Sequence, residues 1–235
     1  MDEARPFSQE ELWTAFHGNG SISKHLLTLY SMVHGLRARQ VGEIGLGTTT
    51  RALRLAVRET GGVLHTCDCD AQRYSHLLEQ QDEHWKLSLC ASESFLDGLE
   101  APLDLFVHDG AHDYFQVTQD LKRILPLMRT FGLVCVHDTQ QIELADDMLA
   151  ALRDGCDGWD ISLTLLPYFN GLAIIRVEQG AQPPVTPAGD DLPDGRFATR
   201  LVSVPLTFSG PSTAGEDRSF KRWLRWRLLK LVKGW

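Results

Sequence analysis

The sequence predicts an α/β fold: a doubly wound, mostly parallel sheet with an antiparallel last strand, helices ahead of it and a basic helix at the C-terminal end. Three observations predict it. Short apolar runs, "QVGEIGL", "GVLHTCD", "KLSLC", "LDLFVHD" and "GLVCVHD", alternate with the amphipathic stretches "TTRALRLAVRET", "DAQRYSHLLEQQ" and "YFQVTQDLKRILPLM". That strand and helix rhythm belongs to a parallel sheet covered on both faces. Next, "ISLTLL" and "LAIIRV" are joined by "PYFNG", whose Pro, Asn and Gly suit a tight reversal, so the last two strands pair antiparallel at one edge. Finally, 235 residues, 43% hydrophobic and 23% charged, give a globular chain with room for one large domain and an appendage.

Ahead of the sheet, Ser8 and Glu11 form a capping-box start for a short helix through "EELWTAF", and apolar residues at helical spacing from Ile22 to Leu36 predict a second. The first residues carry no basic region followed by an apolar core, and no run of 18 apolar residues occurs, so neither a signal peptide nor a membrane span is readable. Five cysteines, most of them in strand-like runs, fit reduced core thiols, and the location expected is cytoplasmic. A strand through "CDC" would turn Cys67 and Cys69 to one face, with no second pair nearby to complete a metal site. After the last strand pair, six of the ten prolines fall before Asp217. The domain layout expected is therefore a sheet domain over 1–178, a Pro-rich linker over 179–217 and a basic amphipathic helix over 218–235.

The net charge of −8 argues against a dedicated nucleic-acid binder, but seven of the 23 bases and none of the 31 acids lie after residue 217. On a helix, Phe220, Trp223, Leu224, Leu228, Leu231 and Trp235 form an apolar stripe, with Arg218, Lys221, Arg222, Arg225 and Lys233 mainly outside it. Two readings of that tail stand side by side: peripheral contact with an anionic membrane face, and docking on its own acidic domain. A homo-oligomer is left open.

The first motif with chemistry in it is "EIGLGTTTRALRLA". A strand that ends in Gly45-Leu46-Gly47 turns tightly and lets the backbone approach a ligand, with the next helix aiming its N-terminal amides at it. Asp68 lies 21 residues after Gly47, at the end of the following strand, where a carboxylate accepts hydrogen bonds from ribose hydroxyls. A dinucleotide site wants a third glycine where this chain has Thr50.

Glu43 two residues before the first glycine instead resembles the E/D-x-G-x-G motif of class I S-adenosylmethionine-dependent methyltransferases, whose fold is Rossmann-like. "LDLFVHDGAHDYFQVTQDLKRILPLMRTFGLVCVHDT" is similar to the O-methyltransferase branch that reads D-G-x-H-x-Y, then a helix, L-P-L-(L/M)-x-x-G-G, and a strand closing in H-D-T. That branch includes metal-dependent macrolide sugar O-methyltransferases. The likeness runs from about Ser21 to Val177; Phe131 departs from it where the G-G pair usually begins, which affects a turn.

The resemblance implies S-adenosylmethionine as cofactor, with Glu43, Gly45, Gly47, Asp68 and Asp109 in its site and Ala91 and Ser92 in the adenine region. It further implies a sugar or other small polyol-like acceptor, and a divalent metal, Mg or another, held by Asp109 with the pair His137 and Asp138. The residues support this chemistry independently. Asp109 and Asp138 end consecutive strand runs, so in a parallel sheet both face the crevice at the strands' carboxyl ends. Two carboxylates there suit a divalent cation that binds a diol and acidifies its hydroxyl. His112, three residues past Asp109, is the candidate general base, because imidazole exchanges protons near neutrality.

His137 stands where those sugar enzymes have an acid; it either ligates, which would favour Mn, Fe or Zn over Mg, or points away. His108 is expected to point away from Asp109 and bond the backbone, Asp113 to cap the next helix, and Tyr114 to pack. Asp138 with Thr139 also suits capping of the helix through "IELADDMLAALRD". Methylation of nitrogen, and a binding or scaffold role without catalysis, are the alternatives the motifs leave.

Overall fold

Strand formation follows the apolar runs closely. In the computed structural model, which describes residues 5–180 apart from 101 and 142, seven strands form one sheet in the order β3-β2-β1-β4-β5-β7-β6. These are β1 (Gln40–Ile44), β2 (Val63–Asp68), β3 (Trp85–Leu89), β4 (Leu103–His108), β5 (Met128–His137), β6 (Ile161–Leu166) and β7 (Leu172–Val177). The first five pair parallel, and β7 lies between β5 and β6, antiparallel to both. Everything described falls within the first of two units of the chain, Met1–Pro187. The expected linker beyond residue 180 and the basic helix over 218–235, with its membrane or self-docking role, lie outside the described residues. Among the described residues, no helix is long and apolar enough to cross a membrane.

The helices are α1 (Gln9–Phe16), α2 (Leu26–Leu36), α3 (Thr48–Thr60), α4 (Ala71–Tyr74), α5 (Ser92–Asp97), α6 (Tyr114–Ile124) and α7 (Ala145–Gly155). Ser8 and Glu11 cap α1 reciprocally, as their spacing requires. Two predicted helices come out shorter. The segment from Ile22 opens with a 3-10 turn, Ser23–His25, before α2, and the stretch after Asp70 gives one turn of α-helix followed by a 3-10 run, Ser75–Gln80.

Every residue of β4 is buried, and its side chains alternate between two cores. Phe106 joins Val134, Val136 and Ile175 under α6 and α7, while Leu105 and Val107 join Val41, Leu53 and Val57 under α2 and α3. Each such side chain contributes roughly 1.5–3 kcal/mol on burial, which is what holds the strand ends in register.

Three local expectations are corrected. β5 starts at Met128, not after the glycine, and Phe131 lies inside it at φ 62 within an irregularity where Leu103 pairs Met128 but Leu105 pairs Leu133. The departure at Phe131 is thus a bulge and not a turn. The helix after β5 begins at Ala145, so Asp138 and Thr139 do not cap it. All five cysteines are free, and Cys67, Cys135 and Cys156 are buried, but Cys69 is exposed: β2 stops at Asp68, so the strand does not carry both thiols.

Candidate active site

The glycine turn and the ends of β1, β2, β4 and β5 make the floor of one crevice. Gly45 has φ +95, and a Cβ there would lie 2.2 Å from the carbonyl oxygen of Asp109, so only glycine lets β1 and β4 end side by side. The Asp109 amide in turn donates to Ile44 O at 2.9 Å. A Cβ on Gly47 would meet nothing within 4 Å, which leaves open space at the N-terminus of α3. Asp68 fixes the turn from the other side: its carboxylate accepts from the Leu46 amide (2.9 Å) and the Asp70 amide (2.8 Å).

Glu43, expected among the cofactor contacts, is instead sealed beneath the turn. It is fully buried, and its carboxylate accepts from Thr66 Oγ1 at 2.8 Å; Thr66 in turn accepts from Trp85 Nε1 at 2.9 Å. Burial pushes its pKa up to about 8 against the opposing hydrogen bonds from Thr66 and Thr50. Ser92 opens α5 just after Ala91; its hydroxyl donates to Asp120 at 2.8 Å and accepts from Gln116 at 3.0 Å.

At the other end of the crevice the two His-Asp sequences behave differently. His108 turns away from Asp109, as expected, but its partner is a side chain and not the backbone: Nε2 lies 3.0 Å from Asp120 Oδ2, both groups buried. His137 points in. Its Nδ1 lies 2.9 Å from Asp109 Oδ1 and 3.2 Å from Asp138 Oδ1. Alternation along a strand would send neighbouring side chains to opposite faces, but Asp138 adopts φ 58, and this left-handed residue brings both to the crevice. The His112 ring lies between the carboxylates, Nε2 3.7 Å from Asp109 Oδ1 and Nδ1 3.4 Å from Asp138 Oδ2.

These contacts set the protonation states. Burial alone would raise the Asp109 carboxyl, but the neighbouring His112 ring and the hydrogen bond from His137 outweigh it and hold the group well below the usual carboxylate range. For His137, burial works against the charged form, and the bond to Asp109 with the charges of Asp109 and Asp138 overcomes it, raising the pKa. Thr49 Oγ1 also donates to Asp109 at 3.1 Å.

The donor set fits a cation. One ligand atom each from Asp109, His112 and His137 lies within 4.8 Å of the others. The expected trio of Asp109, His137 and Asp138 also lies together, His137 Nδ1 being 2.9 Å from Asp109 Oδ1 and 3.2 Å from Asp138 Oδ1. Within the cluster, His112 Nε2 and Asp138 Oδ1 are buried without a hydrogen-bond partner.

Asp113 caps α6 by accepting from the Gln116 amide at 3.0 Å. Tyr114 is largely exposed and donates to Asp154 at 2.7 Å, so it links α6 to α7 and does not fill a core. Three residues of the site carried no readable signal. Thr49 is one of three consecutive threonines, and His25 and Tyr168, whose rings stack at 4.9 Å beside His137, come from distant segments.

The topology with β7 inserted antiparallel between β5 and β6 is that of class I methyltransferases. Residues 43–139 match the family model described as a methyltransferase domain, and that span contains every candidate site residue from Glu43 to Asp138. The fold is similar to an O-methyltransferase from Bacillus cereus in complex with SAH, with TM-score 0.54 and 15% identity over 73% of this chain and 92% of that one. It is also similar to the SAH-bound methyltransferase PaMTH1 of Podospora anserina, with TM-score 0.52 and 17% identity over 75% and 99% of the two chains. Cofactor-bound Rv0187 from MTB gives TM-score 0.53 and 18% identity over 72% and 89%. At these identities the likeness is one of fold. No curated protein matches the chain by sequence.

Proposed function

We propose that the protein transfers a methyl group from S-adenosylmethionine to a hydroxyl of a small sugar or polyol-like acceptor. The observation that carries the reading is the pair of carboxylates flanking the glycine turn, Asp68 on the Leu46 amide and Asp109 on the Thr49 hydroxyl at the start of α3. A pyrophosphate would be repelled there and a sulfonium attracted. The matched methyltransferase-domain span and the neighbours with SAH bound support the same reading.

In the reaction the acceptor oxygen attacks the sulfonium methyl carbon, the carbon–sulfur bond breaks, and S-adenosylhomocysteine leaves. The chain's part is to hold the two reactants in line and to take the hydroxyl proton. His112 is the acceptor of that proton: its side chain is 24% exposed, whereas His137 is 2% exposed and hydrogen-bonded to Asp109. Asp109 and Asp138, with His137 between them, are the residues that would hold a divalent cation, which leaves the His112 ring to take the proton. When bound, such an ion supplies Lewis-acid polarisation of the hydroxyl. The imidazole favours Mn, Fe or Zn over Mg.

The test is transfer of a labelled methyl group from S-adenosylmethionine to vicinal diols, with and without a chelator. Transfer to oxygen that is lost in His112→Ala supports the reading, and chelator sensitivity restored by Mn supports its metal part. Transfer to amines and never to hydroxyls would replace it with nitrogen methylation.

A further inference from the structure

One wall of the crevice is made by residues outside the matched span and outside the motifs. β7 starts at Leu172 opposite His137, so the turn of 167–171 that precedes it stands at the carboxyl end of β5, over the site. That turn is pinned. Asn170 O accepts from the Gln140 amide at 2.6 Å, and Gly171, at φ +82, packs so closely that a Cβ would lie 2.7 Å from Gln140 Cγ. Two aromatic rings at its tip stay open to solvent: Tyr168 is 42% exposed and Phe169, at φ 56, is 47% exposed. Exposed large rings on a rigid turn beside a reactive cluster are an unusual use of apolar surface.

The N-terminal segment completes the wall. His25 is fully buried; its ring stacks on Tyr168 at 4.9 Å and 20°, and meets the His137 ring edge-on at 5.7 Å. It thereby couples the position of Tyr168 to the reactive cluster. Next to it, Lys24 is half-buried and uses one donor on Phe16 O at 2.7 Å, with its ammonium 5.1 Å from the Phe16 ring and 5.7 Å from the Phe169 ring. Among the described residues it makes no salt bridge, in a chain that has 31 acids to 23 bases. A fixed ammonium with two free donors, faced by rings and not by carboxylates, is a site for an anion from outside.

We propose, resting on the methyltransferase reading, that Lys24, Tyr168 and Phe169 select the acceptor, and that the acceptor is an anionic ring diol. The exposed face of Tyr168 stacks on the ring, Lys24 binds a carboxylate or phosphate on it, and the vicinal hydroxyls reach the cluster of Asp109, His112 and His137. An aromatic ring and a sugar ring both meet this description, since a tyrosine face packs on either.

The experiment is a set of calorimetric titrations of the full chain with a vicinal dihydroxybenzoate, glucuronate, catechol and methyl glucoside, each with and without S-adenosylhomocysteine. The two acids should bind about tenfold or more tightly than their neutral counterparts, the size expected of one charge-assisted contact. Lys24→Met should abolish that discrimination and Lys24→Arg keep it, with S-adenosylhomocysteine affinity unchanged in both. Tyr168→Ala should weaken acid and neutral ligands alike. Which acid binds better separates the aromatic from the sugar source. Equal binding of acids and neutral diols, or no binding of any of the four, would overturn the proposal. Failure to bind S-adenosylhomocysteine would remove the methyltransferase reading instead, while the titrations without it still report on Lys24.

Discussion

Two His-Asp pairs stand at the ends of adjoining strands and differ in almost nothing but their surroundings. His108 with Asp120 and His137 with Asp109 are separated by 3.0 and 2.9 Å. In the first, Asp120 is 2% exposed and both its oxygens are taken, one by His108 and the other by Ser92 and Gln116. In the second, Asp109 is 20% exposed; its two oxygens are likewise engaged, by His137 and Thr49, but a second imidazole and a second carboxylate stand beside it. His108 Nδ1 and His137 Nε2 are each buried without a hydrogen-bond partner, so the remaining ring nitrogens do not separate the pairs. The same pair distance occurs alone under α6 and within a four-group cluster at the strand ends, so the distance between partners says little about role and the neighbouring titratable groups say more.

The comparison breaks most sharply at the open cluster. Asp109→Ala and His112→Ala should each lower methyl transfer by about a hundredfold to ten-thousandfold, the range of a lost general base. In His112→Ala the S-adenosylhomocysteine affinity, read by calorimetry, should be nearly unchanged. A parallel loss of cofactor affinity there would place His112 with the structural pair.

Next in size, Asp120→Ala should destabilise the fold by about 3–5 kcal/mol in denaturant titrations, because it leaves His108 buried without its partner. Methyl transfer per folded molecule should persist, and its disappearance would show that the covered pair is not merely a lock.

Glu43 sharpens the same contrast on the cofactor side. Its pKa is raised from an ordinary 4.5 to about 8, so the folded state binds a proton that the unfolded state releases between those values. Stability should fall as pH rises from about 4.5 to about 8. Glu43→Gln should flatten that slope and gain more than about 1.4 kcal/mol at the alkaline end, the equivalent of one pKa unit. An unchanged slope would mean that the buried carboxyl is ionised at neutral pH. The smallest effect is expected at Tyr114, where Phe removes an exposed bond to Asp154 and should cost about 1 kcal/mol or less, with transfer unaltered.

The sheet was legible because its strands are apolar runs bounded by turn residues, and that signal is local. Asp109, His112 and Asp138 were legible for a related reason: a parallel sheet gathers its strand ends at one edge. Local sequence fails where backbone geometry overrides alternation. The left-handed Asp138 brings His137 inward beside it, and the sharing of one carbonyl's space by Gly45 and Asp109 is a contact between segments 64 residues apart, as Asp109 minus Gly45 in the numbering shows. Glu43 looked like a cofactor ligand by its place in the motif, yet the Thr66 and Trp85 bonds that bury it come from the next two strands. His25 and Tyr168 meet only because the N-terminal 3-10 turn and the last hairpin converge at the carboxyl end of β5, and no spacing in either segment announces it.

A calorimetric titration of the full chain with S-adenosylmethionine decides whether the glycine turn is a cofactor site. Saturable binding at one site per chain is expected, since the glycine turn, Asp68 and the N-terminus of α3 form one cradle. Absence of binding at millimolar ligand would overturn the methyltransferase reading.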